Sequence, residues 1–84
     1  MDKLEKFRRE IDKIDADMVK LLEKRWATAK RIGEEKRKKG LEYYDQKREE
    51  EVLKKVVGKT SLDKNFIKDV FTRIMEYCRN GESE

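Results

Sequence analysis

The 84-residue sequence contains no histidine, no proline and one cysteine, Cys78. Lacking histidine, the chain cannot build the common zinc sites or a Ser-His or Cys-His nucleophile pair. One cysteine excludes an internal disulfide. No apolar run approaches the length of a signal peptide or a membrane span, which predicts a cytoplasmic protein with no membrane partner. Any enzyme made from this chain works with Arg, Lys, Asp, Glu and Tyr.

Charge is what the chain has in abundance. Half of its residues are Asp, Glu, Lys or Arg, and 36% are hydrophobic. Scattered apolar residues at this density would leave a chain disordered. Here they recur at helical spacing, so the charges read as the solvent face of helices. The formal net charge is +4, from 23 basic and 19 acidic residues. The two signs are interleaved, and the longest basic run is Lys36 to Lys39. That run suits a helix C-terminus. The balance fits a small anionic ligand and predicts no nucleic-acid partner.

The first segment opens with Asp2 as an N-cap and Glu5 three residues later. Leu4, Phe7, Ile11, Ile14, Met18 and Leu21 then follow in steps of three and four, and the count continues through Arg25 and Thr28 to Ile32. Gly33 costs about 1 kcal/mol of helix propensity without stopping the helix. Gly40 is a natural terminator. The pattern predicts one helix over residues 3–39, roughly 55 Å long. Asp45 caps a second helix over 45–57, with Val52, Leu53, Val56 and Val57 on its apolar face. Thr60 or Ser61 starts a third over 61–79, striped by Leu62, Phe66, Ile67, Val70, Phe71, Ile74, Met75 and Cys78. The tail from Asn80 onward reads as frayed. The expected fold is one all-α domain of three helices over 1–84. Helices of roughly 20 and 30 Å cannot cover one of roughly 55 Å, which favours self-association.

Arg25 breaks the apolar seam, seven residues after Met18 and seven before Ile32. A guanidinium there must snorkel, pair with a carboxylate or hold a ligand. Lys36 follows eleven residues later, about three turns on, so the two cations project from similar faces roughly 16 Å apart. Arg8 lies on a column flanking the seam but roughly 25 Å from Arg25 along the same helix. It can join Arg25 and Lys36 only from a second chain, in an antiparallel pair crossing near Met18 and Val19. Three cations in a dry, helix-walled pocket suit a ligand with two carboxylates. Asp45, Arg48 and Glu49 stand where they could close the pocket's end, although Asp45 also reads as a plain N-cap. Trp26 reads as packing at a dimer or third-helix contact, and Tyr43 and Tyr44 as anchors of the turn.

The stretches Phe-Arg-Arg-Glu-Ile-Asp-Lys-Ile-Asp (7–15), Leu-Leu-Glu-Lys-Arg (21–25), Ile-Gly-Glu-Glu-Lys (32–36) and Tyr-Asp-Gln-Lys-Arg-Glu-Glu-Glu-Val-Leu (44–53) share one order and register. Together they resemble the all-helical (AroQ) class of chorismate mutases, from about Leu4 to Glu82. The resemblance implies an intertwined homodimer that converts chorismate to prephenate, on the route to phenylalanine and tyrosine. The reaction is an intramolecular [3,3] rearrangement and needs neither cofactor nor metal.

Carried over by position, Arg25 and the partner's Arg8 bind the substrate carboxylates, and Lys36 faces the ether oxygen and a carboxylate. Asp45 and Glu49 orient the ring hydroxyl, with Arg48 supporting the pocket. Cys78 stands where relatives place a small polar residue against a carboxylate; a thiol donates poorly, so it also reads as core filler. Glu82 stands where relatives place Gln or Glu against the ether oxygen. A Glu donates there only as the protonated acid. Activity is therefore expected to fall as pH rises, and Glu82→Gln to flatten the profile in a rate-against-pH series. The same resemblance leaves room for isochorismate-pyruvate lyase, a sister activity on this fold. A non-catalytic helical interaction or regulatory module is the reading from a different class.

Overall fold

In the computed structural model, which describes residues 2–82, three helices follow one another: α1 (Lys3–Lys39), α2 (Gln46–Val57) and α3 (Lys64–Glu82). No strand occurs among the described residues. The α1 boundaries follow from its caps. Asp2 Oδ1 accepts from the Glu5 N–H at 2.9 Å. At the other end Gly40 adopts φ 69°, a left-handed conformation that glycine takes without the Cβ penalty. Lys36, Arg37, Lys38 and Lys39 fill the last turn, where cations meet the negative end of the helix dipole.

The expected start of the second helix moves by one residue, because Asp45 is the cap itself: its Oδ1 accepts from the Arg48 N–H at 3.0 Å. The third helix is shifted further. Asp63, not Thr60 or Ser61, receives the first free N–H, from Phe66 at 2.8 Å, while Thr60 Oγ1 holds the Leu62 N–H in the preceding turn. The helix also runs past Asn80 to Glu82, where fraying was expected. Ser83 and Glu84 lie outside the described residues.

α3 packs against both other helices, whereas α1 and α2 do not pack on each other. The buried centre is small: Ala29 and Gly33 from α1 and Met75, Cys78 and Gly81 from α3. Every described residue of α1 up to Lys24 is exposed, and burial begins at Arg25. The N-terminal part of α1 therefore projects alone, and the chain measures 57 × 25 × 15 Å. Its apolar seam is bare: Phe7, Ile11, Ile14 and Met18 are 54%, 54%, 52% and 55% exposed. No helix among the described residues is long and apolar enough to cross a membrane.

Candidate active site

A half-open cleft of about 340 Å³ lies where the three helices meet. This is the lower end of the size range for small-molecule pockets. From α1 it takes Arg25, Thr28, Ala29, Ile32 and Lys36, which sit three, four, seven and eleven residues from Arg25 and so form one stripe. The connecting turn adds Tyr43 and Asp45; α2 adds Arg48, Glu49 and Val52; α3 adds Met75, Cys78 and Glu82. Every site residue expected from the sequence borders this cleft except Arg8. Arg8 is exposed on the projecting part of α1 and, among the described residues, pairs only with Glu5, three residues back, at 3.4 Å.

The ionic groups of the cleft differ in how they are matched. Lys36 is bound twice over: its Nζ donates to the Tyr43 carbonyl at 2.6 Å and lies 2.6 Å from Glu82 Oε1. The Lys36 and Glu82 side chains are only 17% and 11% exposed, so this pair is held largely away from water. Glu82 Oε1 is buried and, although close to the ammonium, is not aligned with it for a hydrogen bond. Glu82 Oε1 thus keeps unused acceptor capacity beside the Lys36 ammonium. Cys78 is a buried free thiol on the same wall. Asp45 is engaged in capping α2, and Arg48 reaches outward to Glu51 at 3.9 Å.

Arg25 is the exception. Half-buried on the cleft wall, its guanidinium has neither an ion pair nor a hydrogen bond among the described residues. Of the options open to a seam arginine, pairing within the chain is therefore not taken.

Two residues that the sequence reading left out of the site contribute to it. Tyr43 supplies the carbonyl that orients Lys36, and its hydroxyl accepts from Arg37 at 3.4 Å. That hydrogen bond shifts Arg37 upward from the ordinary arginine value. Arg79 donates to Glu49 Oε2 at 2.9 Å and stacks over the Tyr44 ring at 4.6 Å. It lies four residues after Met75, on the flank of the α3 stripe, and the same spacing argument would have found it. Through Arg79 the start of α2 and the turn before it are tied to α3. Arg79→Ala is expected to lower unfolding stability by about 1 kcal/mol, with Arg79→Lys intermediate because an ammonium stacks poorly; urea denaturation measures both. Trp26 packs on α3, where a Cβ on Gly81 would meet its ring, and Lys30 lies over its outer face at 4.7 Å.

The arrangement is an all-helical cleft with one unmatched guanidinium and a largely buried Lys-Glu pair, a geometry suited to a compact organic anion. The chain belongs to the chorismate mutase type II family, whose pattern it matches over residues 7–83. It is 42% identical over 57 residues to a bifunctional chorismate mutase/prephenate dehydratase of Aquifex aeolicus, an alignment covering 68% of this chain and 16% of that protein. A conserved hypothetical protein from Pyrococcus furiosus has a similar structure, with a TM-score of 0.82 and 34% identity over 98% of this chain and 97% of that one.

Proposed function

We propose that this chain is a chorismate mutase acting as a cytoplasmic homodimer with two shared sites. The observation that carries the reading is Arg25, an unpaired guanidinium in a cleft that also presents Lys36, Asp45, Glu49 and Glu82. Chorismate is a dianion that must fold its enolpyruvyl side chain over the ring before reacting. Within the molecule one C–O bond breaks as one C–C bond forms, so no nucleophile or group carrier is needed. The protein's task is to hold the compact conformer and to stabilise charge growing on the ether oxygen.

In this reading Arg25 takes one carboxylate bidentately. Lys36 is positioned to share its ammonium between the ether oxygen and a carboxylate, and Glu82 supplies a hydrogen bond to the ether oxygen when it carries a proton. Asp45 and Glu49, at the start of α2, receive the ring hydroxyl. Arg8 of a partner subunit is the principal partner of the second carboxylate, because Lys36 already has Glu82 as its counter-charge and can give that group only part of its ammonium. The bare seam of α1 supports that pairing. An exposed row of Phe, Ile and Met on a projecting helix is what a second long helix would cover.

The test is incubation of the purified protein with chorismate and, separately, isochorismate, with the products identified. Prephenate from chorismate supports the reading. Pyruvate released from isochorismate alone would transfer the site to the lyase reaction, and no turnover by a folded helical dimer would end the enzymatic reading.

A further inference from the structure

We propose that Gly33 and Arg37 form a seat for the last turn of α3 and are positioning residues that set Glu82 against Lys36. This rests on the proposed mutase reading for its catalytic consequence, and on geometry for the seat itself. Gly33 is buried where α3 ends against α1. A Cβ there would run into the Glu82 carbonyl oxygen and come within 2.8 and 2.9 Å of its Cα and carbonyl carbon. These are backbone atoms and cannot rotate aside, so a side chain at residue 33 displaces the last turn as a unit.

Arg37 follows one turn later on the same face. Its guanidinium donates to the Glu82 carbonyl at 3.1 Å, one of the carbonyls that a helix end leaves without an intrahelical partner. Gly33 admits the turn, Arg37 fastens it, and Lys36, adjacent to Arg37 in sequence, takes the carboxylate at 2.6 Å. Gly81 lets the same turn approach α1 a second time, lying against the Trp26 ring. Without this seat the chain would end its helix near Asn80, as its composition alone suggests, and Glu82 would lie outside the cleft.

A role confined to packing and a role in placing Glu82 predict different kinetics. A misplaced group beside the breaking bond lowers kcat and leaves KM nearly unchanged. Arg37→Ala, at an exposed side chain, is expected to lower kcat for chorismate about tenfold through loss of the charge-assisted hydrogen bond to the Glu82 carbonyl, the longer bond to the Tyr43 hydroxyl being lost with it. Gly33→Ala is expected to lower it on the order of a hundredfold, the scale of a displacement of about 1 Å, although alanine is the better helix former. Neither substitution is expected to reduce kcat further in a Glu82→Ala background. Equal losses with and without Glu82, a rise in KM alone, or a wild-type kcat for Glu82→Ala each overturn the positioning role.

Amide hydrogen exchange at Gly81 and Glu82 reads the seat without reference to activity. It is expected to accelerate about tenfold or more in both variants as the last turn loosens. Faster exchange in a protein that does not turn over chorismate would keep the seat and discard the mutase reading. Unchanged exchange in both variants would overturn the seat.

Discussion

Replacing Arg25 by alanine is expected to lower kcat/KM for chorismate by about three orders of magnitude, the cost of leaving a desolvated carboxylate without its guanidinium partner. Stability should move the other way or not at all. Arg25 has no ion pair or hydrogen bond among the described residues, so its removal breaks no bond that holds the fold. Alanine is also the stronger helix former at a position within α1. The unfolding free energy is therefore expected to stay within about 0.5 kcal/mol of the wild type or to rise. This opposition separates ligand binding from structure. A residue that merely packs the cleft would cost stability first and activity in proportion. Steady-state kinetics with chorismate and urea denaturation on the same preparations decide it. Arg25→Lys is expected to recover only part of the loss, because an ammonium cannot hold a carboxylate through two parallel bonds. If Arg25→Ala turned over chorismate like the wild type, the carboxylate assignment would fail whatever the fold.

Much of this was readable from one sequence because α1 supplies the largest share of the cleft lining, and a helix converts sequence spacing into geometry without further information. Arg25 and Lys36 fall on one stripe by counting alone, and both border the cleft. The ends of α1 were equally legible, since Asp2 and Gly40 are strong local signals and nothing tertiary competes with them. The errors lie where long-range contacts decide. The tail from Asn80 onward was expected to fray, yet Gly81 is buried against Trp26 and the helix continues to Glu82. Thr60 and Ser61 are acceptable caps, but Asp63 stands nearer the apolar stripe of α3 and takes the free N–H. The Tyr43 carbonyl and the α3 carbonyl bound by Arg37 are backbone groups, and no side-chain pattern announces which lysine or arginine will find them. Arg79 was visible in principle. Its partner Glu49, thirty residues away, was not.

Mixing two inactive variants is expected to restore activity, and this result carries the case for a shared site. Within one chain, Lys36 is matched by Glu82, Arg48 turns toward Glu51, and Arg79 is taken up by Glu49. Arg25 is then the one cleft-lining cation left unmatched among the described residues, while the proposed ligand has two carboxylates. Arg8 of the same chain is seventeen residues back along α1, roughly 25 Å away, and faces solvent beside Glu5. An antiparallel partner crossing near Met18 would carry its own Arg8 to the region of residue 30 and bury Ile11, Ile14 and Met18 of both chains. Arg8→Ala and Arg25→Ala homodimers should each be nearly inactive. After co-refolding in equal amounts, half the dimers are mixed, and each mixed dimer has one site with all its cations and one with neither Arg8 nor Arg25. Recovery of about a quarter of wild-type turnover follows from that statistics of pairing. The recovered activity should have wild-type KM, because the surviving sites are chemically whole. Recovery that never exceeds the sum of the parents, in a preparation shown to contain mixed dimers, would mean that Arg8 serves no neighbouring site; the second carboxylate would then have to be held by Lys36 or Arg48 of the same chain.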